Sequence, residues 1–204
     1  MEERQLIEMC IRGDPRARKI MYEQYAPLMM SVCRRYVNNR ETARDLLHDG
    51  FVRLFTKIHT FSGAGSFSGW MRRVFVTTVL EHLRRNDVLQ YSADIEEFEC
   101  YDEEPDISLF DCLSADDLFA CVVALPDKYR TVFNMYAIEK YTHAEIAERL
   151  EISENTSRSQ YARARRLLQK MVMDRVARQA AEKEAIAGFY VRPMGKRLVV
   201  NLNI

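Results

Sequence analysis

No apolar run in this chain of 204 residues approaches the ~18 residues needed to cross a bilayer, so membrane insertion is not expected. Met1-Glu2-Glu3-Arg4 leads into a charged amphipathic stretch that lacks the apolar centre of a signal peptide, and a cytoplasmic location is the expectation. The five cysteines (Cys10, Cys33, Cys100, Cys112 and Cys121) are odd in number, and none stands in a C-x-x-C pair. That disfavours both a disulfide framework and a zinc site, leaving free thiols in a reducing compartment. A Ser/His/Asp order, a phosphate-cradling glycine loop and a complete metal set are equally missing. Neither an enzyme nor a cofactor is therefore expected, and His82 beside Glu81 reads as a helix-surface pair. The longest gap is one of charge: from Val88 to Asp127 there is no Lys or Arg, but twelve acidic residues.

That gap separates two basic blocks, which a net charge of zero conceals. Arg34 to Arg85 holds ten Lys/Arg against four Asp/Glu, and Glu154 to Arg178 seven against two. The pattern predicts two anion-binding modules on a tether of opposite sign. Hydrophobic residues at 48% and charged residues at 29% are ordinary for a core-forming protein, long enough for one large domain or two small ones.

Helical periodicity dominates up to about Asp87. Gly13-Asp14-Pro15 ends a first short helix and starts a second, Asp14 as N-cap and Pro15 in the first turn. The second should run to about Asn38 with Ile20, Tyr25, Leu28, Val32 and Tyr36 on its apolar side, and Pro27 should kink or split it. A third, from about Glu41 to Ile58, places Ala43, Leu47, Gly50, Phe51, Leu54, Phe55 and Ile58 on one face. After a Gly/Ser loop a fourth extends from about Phe67 to Arg85. Periodicity vanishes from Tyr91 to Asp117, which reads as a linker with a helix beginning near Ser114. Pro126-Asp127 then starts a helix carrying Tyr129, Val132, Phe133 and Tyr136.

The sharpest local signal is a helix-turn-helix between Tyr141 and Val172. Thr142 caps His143 to Leu150, Glu151-Ile152-Ser153 makes a tight turn, and Ser153 or Asn155 caps a second helix exposed for the major groove. That helix offers Thr156, Ser157, Arg158, Ser159 and Gln160 at its start, then Arg163, Arg165 and Arg166. Hydroxyl and amide groups suit base edges and phosphates, and arginine suits guanine. In the third helix Asp45, His48 and Asp49 stand at i, i+3 and i+4 on one exposed face. Three such groups raise the thought of a metal, but no further ligand stands out, and a docking face for a basic partner fits better. At the start of the fourth helix, aromatics are interleaved with glycine and arginine (Gly65-Ser66-Phe67-Ser68-Gly69-Trp70-Met71-Arg72-Arg73), which provides stacking and phosphate charge for unpaired bases. Taken alone, this segment favours a plain core role for Trp70; for Phe61 both roles remain open.

Three segments in this order resemble the extracytoplasmic-function (ECF) sigma factors of bacterial RNA polymerase. They are Asp45-Leu46-Leu47-His48-Asp49-Gly50-Phe51, the stretch from Gly65 to Trp70, and Leu125-Pro126-Asp127-Lys128-Tyr129-Arg130-Thr131-Val132-Phe133 ahead of the helix-turn-helix. The resemblance covers roughly residues 15–170. It implies an all-α protein of two small helical domains: sigma domain 2 over 1–90, an acidic linker over 91–117, sigma domain 4 over 118–174, and a C-terminal extension over 175–204. It also implies binding to core RNA polymerase through Asp45, His48 and Asp49, where relatives usually have Gln and Glu at the positions of His48 and Asp49. Capture and melting of the promoter −10 element fall to Phe61, Ser62, Gly63, Ser66, Trp70, Arg73 and Thr77, with Asn common in relatives at the position of Thr77. Reading of the −35 element falls to Thr156, Arg158, Ser159, Gln160 and Arg163. Promoter DNA and an anti-sigma factor are the further partners implied. A helix-turn-helix regulator acting without polymerase is the alternative, and it leaves the third helix and the aromatic loop unused.

Beyond Arg178 the helical pattern fades towards Gly188. Phe189-Tyr190-Val191-Arg192, a turn at Pro193-Met194-Gly195 and the alternation of Leu198, Val200, Leu202 and Ile204 predict a β-hairpin.

Overall fold

A computed structural model describes residues 2–86 and 114–190, with side chains to Glu182. The described residues form eight α-helices and no strand. They are α1 (Glu3–Ile11), α2 (Pro15–Tyr36), α3 (Arg40–Lys57), α4 (Phe67–Arg85), α5 (Ala115–Ala124), α6 (Asp127–Phe133), α7 (His143–Leu150) and α8 (Glu154–Tyr190). A 3-10 turn (Ile58–Thr60) follows α3, and a π turn (Asn134–Ile138) follows α6. No described helix is long and apolar enough to cross a membrane, and no group of three His, Cys, Asp or Glu among the described residues is placed to hold a metal ion. Most of the acidic linker, residues 91–113, lies outside the described residues.

Local chemistry sets the helix starts. Asp14 accepts from the amides of Arg16 and Ala17 to start α2, and Asn39 does the same for Glu41 and Thr42 at α3. Ser66 caps α4 through the amide of Gly69, and Ser114 caps α5 through that of Asp117. α2 is not split at Pro27 but runs as one helix through it. Of the apolar side expected, Tyr25, Val32 and Tyr36 are buried, whereas the other two residues are not. Ile20 and Leu28 are exposed, and the buried row is Ala17, Met21, Tyr25, Met29, Val32, Cys33 and Tyr36. Two methionines and a cysteine fill the places that a search for branched aliphatics assigns elsewhere.

α2, α3 and α4 pack around a core of Leu46, Leu54, Phe67, Met71, Phe75, Val79 and Leu83, and α1 covers one end with Leu6, Ile7 and Cys10. Val132, Met135 and Ile146 from the C-terminal helices belong to the same core, so the two halves are docked. A second core joins α5 and α6 to α8 through Cys121, Leu125, Tyr129, Ala164, Leu168 and Val172. The hairpin expectation fails in its first strand, because α8 continues through Phe189 and Tyr190. The alternation from Leu198 to Ile204 lies outside the described residues.

The packing of α3 on α4 depends on Gly50. A Cβ there would meet the Phe75 ring at 2.3 Å, and that ring is fully buried, edge-on to Phe51 at 5.2 Å. Gly50→Ala should therefore destabilise the fold despite better helix propensity, by about 1–2 kcal/mol net of the ~1 kcal/mol propensity gain. Urea unfolding at constant m-value measures it; an unchanged or raised midpoint would show that the ring can yield.

Candidate nucleic-acid interface

The helix-turn-helix is held by a complete set of local devices. Thr142 and Glu145 form a capping box at α7: the amide of Thr142 donates to Glu145 Oε2 at 2.8 Å, and that of Glu145 to Thr142 Oγ1 at 3.2 Å. The Thr142 amide and hydroxyl are the main reasons that the Glu145 carboxyl sits below its ordinary range, with Arg149 and Arg73 adding to the effect. Glu151 turns the chain in the left-handed region at φ 57, and Ile152 donates back to the carbonyl of Ala147 at 3.1 Å. Of the two expected caps, Ser153 is the one used, accepting from the amide of Thr156 at 3.0 Å.

Ser157, Tyr161, Ala164 and Leu168 face inward along α8, while Asn155, Ser159, Ala162 and Arg163 face outward. Thr156 and Gln160 are half-buried on the flank. Arg158 is exposed and paired with Glu154 one turn earlier. Ser157 is turned away from any ligand: it is fully buried and hydrogen-bonded to His143 Nδ1 at 2.9 Å. The His143 ring lies parallel to Tyr136, centroids 4.3 Å apart, and edge-on to Tyr161 at 5.9 Å. This lock between α7 and α8 went unread in the sequence, since a lone histidine fourteen residues from a serine carries no local periodicity.

Asp45, His48 and Asp49 are all exposed on α3, and none makes an ion pair or side-chain hydrogen bond with another described residue. Val52, one turn beyond Asp49 and 54% exposed, extends this face with apolar surface that the sequence pattern missed. Asp49 and Val52 border a shallow cleft of about 460 Å³ between α3 and α4, walled by Arg53 and Glu81. Glu81 is engaged by Arg53, at 2.7 and 2.9 Å, and His82 lies 3.1 Å from the amide group of Asn86. They are surface groups with separate partners.

The loop before α4 is exposed from Ser62 to Ser66, with Gly63 and Gly65 both at φ 79 and open space around them. Beneath it, Phe61 packs on Phe67 (5.2 Å) and Trp70 (5.6 Å). Phe67 is buried, whereas Phe61 and Trp70 are half-buried, so both remain reachable while they close the core. Arg73 and Thr77 are exposed one turn apart on α4, the Thr77 hydroxyl bonded to the Arg73 carbonyl at 2.8 Å. Loop, aromatic pair and Arg73 form one surface; the outward face of α8 forms another; the α3 carboxylates form a third.

Comparison with known families matches residues 21–88 to Sigma-70 region 2 and residues 115–168 to Sigma-70, region 4. Similar curated proteins include the RNA polymerase sigma-H factor of Pseudomonas aeruginosa, 25% identical over 83% of this chain and 93% of its own length. The ECF RNA polymerase sigma factor SigW of Bacillus subtilis is 25% identical over 82% and 95%. The ECF RNA polymerase sigma-E factor of Haemophilus influenzae is 23% identical over 84% and 96%. Similar solved structures include the sigma factor RpoE in complex with the anti-sigma factor NepR from Bartonella quintana (17% identity, 76% of this chain and 96% of that one, TM-score 0.46). CnrH in complex with the cytosolic domain of CnrY is another (16% identity, 84% and 97%, TM-score 0.45).

Burial, with the charge of Arg158 second, pulls the His143 imidazole below its ordinary value of 6.5. A histidine depressed in the folded state favours the neutral form, so its contribution is complete above about pH 6.5 and is lost as pH falls towards the folded value. The melting temperature of the wild-type chain should fall from pH 7 to pH 5, and His143→Asn should flatten that slope. Parallel curves for the two proteins would show that His143 does not titrate in this window.

Proposed function

The chain belongs to the ECF sigma factors, carries sigma-70 regions 2 and 4, and directs the initiation of transcription by RNA polymerase without being an enzyme; from that premise we propose how its residues divide the work. Sigma domain 2 spans 1–90, the acidic linker 91–117, sigma domain 4 118–174 and an extension 175–204. Region 4 reads the −35 element through Thr156, Arg158, Ser159, Gln160 and Arg163. The observation that carries this reading is the inward lock of Ser157 by His143, which leaves Ser159 and Arg163 outward at the N-terminal turns of α8. There a helix N-terminus favours phosphate, and a guanidinium can meet guanine.

Region 2 docks on core RNA polymerase through Asp45, His48 and Asp49. Their support is exposure without a partner among the described residues, since carboxylates left free on a folded surface are available to a basic partner. Phe61, Ser62, Gly63, Ser66, Trp70, Arg73 and Thr77 take an unpaired base of the −10 element. In favour of this are the open space around Gly63 and the half-buried aromatic pair beneath it. Promoter DNA and core RNA polymerase are thus the partners. An anti-sigma factor and a cytoplasmic location are carried over from family membership alone.

Run-off transcription by core polymerase on a random promoter library tests this reading: the chain should select templates with two conserved elements. Arg163→Ala should cost ~1–3 kcal/mol of discrimination at one −35 position. Reversing both Asp45 and Asp49 to Lys should abolish association with core while stability moves by no more than ~0.5 kcal/mol. A chain that binds duplex DNA but never core polymerase would be a stand-alone regulator instead.

A further inference from the structure

Helix α1 lies ahead of the stretch matched to Sigma-70 region 2, residues 21–88, yet it faces the loop before α4. Leu6 and Cys10 are buried in the core, whereas Arg4, Ile7, Glu8 and Ile11 fall at i, i+3, i+4 and i+7 along a second face. That face and the loop wall a cleft of about 530 Å³, with Phe61 and Gly63 on the opposite side. An apolar strip runs along it: Ile7 is nearly covered, Ile11 is exposed, and Phe61 is half-buried. The volume is in the range of small-molecule pockets and ample for one nucleotide.

The polar groups at its rim are held but not used up. The Tyr25 hydroxyl donates to Glu3 Oε2 at 2.8 Å, and burial, with Glu3 second, pushes that hydroxyl up to about 12. Tyr25 therefore stays a donor, and it fixes a carboxylate that keeps most of its acceptor sites. Tyr25 stands edge-on to Phe67 at 5.9 Å, and Phe67 carries Phe61 at 5.2 Å. Glu3 is thereby tied through two rings to the aromatic beneath the loop. Arg4 and Glu8 are paired at 3.6 Å with both side chains exposed, an association weak enough for Arg4 to exchange its partner for a phosphate.

We propose that this cleft is a second base subsite, which takes the unpaired nucleotide beside the one held by the loop and selects a base with an exocyclic amino group. The proposal rests on the assignment of the loop to −10 DNA. The base lies against Ile11 and Phe61, Arg4 meets its phosphate, and Glu3 faces its Watson–Crick edge. A carboxylate only accepts, so it favours the amino group of cytosine. Thymine offers one N–H between two carbonyl oxygens, which a carboxylate repels.

Fluorescence anisotropy of the full-length chain with labelled oligo(dC) and oligo(dT) of equal length tests this, the two pyrimidines being of one size. The wild-type chain should prefer oligo(dC) by about tenfold. Glu3→Gln keeps an acceptor for Tyr25 but adds an amide N–H that thymine can meet. It should erase the preference without weakening oligo(dT), whereas a damaged fold would lose both. Arg4→Ala should weaken both alike and make the log–log salt dependence shallower by about 0.7. Ile11→Ala should weaken both with that slope unchanged. Equal binding of the two oligonucleotides by the wild-type chain, or a preference that survives Glu3→Gln, overturns the subsite. Arg73→Ala, on α4 outside the cleft, reports on the −10 surface itself: if it weakens binding while Glu3→Gln changes nothing, only the subsite falls. A chain that binds neither oligonucleotide sinks the −10 assignment and the subsite together.

Discussion

A single buried guanidinium organises the junction of the chain. Arg130, 3% exposed, donates to the carbonyls of Val123 (2.7 Å) and Leu125 (2.9 Å), which end α5, and to that of Tyr36 (3.1 Å), which ends α2. Asp127 at the start of α6 is its counter-ion. Helix C-termini carry orphan carbonyls and partial negative charge, and one planar donor serves two of them while its own charge is balanced. Burial lowers the arginine below its ordinary value, against the pull of Asp127. Removing such a group leaves buried acceptors unmet, the kind of loss that costs ~3–5 kcal/mol. The docking of the C-terminal half on α2, and hence the facing of Glu139 towards Arg35, follows from this knot.

Much of this architecture is legible in the sequence where signals are local. Asp14 and Thr142 cap the helices expected of them and Ser114 the one expected to begin near it, because capping chemistry needs only three or four neighbouring residues; Asn39 and Ser66 cap α3 and α4 by the same chemistry, unread in the sequence. The apolar side of α2 is less legible. Ile20 and Leu28 satisfy a helical pattern yet face solvent, since Met21, Met29 and Cys33 fill the core and tertiary packing decides between two plausible faces. Pro27 gives no break, because one lost hydrogen bond on an exposed position is outweighed by the packing of residues on both sides.

The site residues divide in the same way. Exposure of Asp45, His48, Asp49, Ser159 and Arg163 follows from spacing alone. The inward turn of Ser157, the His143–Tyr136–Tyr161 stack and the pairing of Glu139 with Arg35 and of Glu151 with Arg84 depend on distant residues meeting in space, and no window of sequence contains them. At the C-terminus, strand-like alternation is a weak guide beside a helix already propagating from Glu154, where each added residue gains a hydrogen bond without a new nucleation cost.

The length of α8 has a mechanical consequence. Its 37 residues make a rod of about 55 Å, fixed on the globular body through Ala164, Leu168 and Val172 and bearing the outward Ser159 and Arg163 near one end. A tilt of about 5° about that fixed middle swings the far end by a few Å. The helix is therefore a lever whose distal arm can register, or impose, small rotations of the end that bears Ser159 and Arg163.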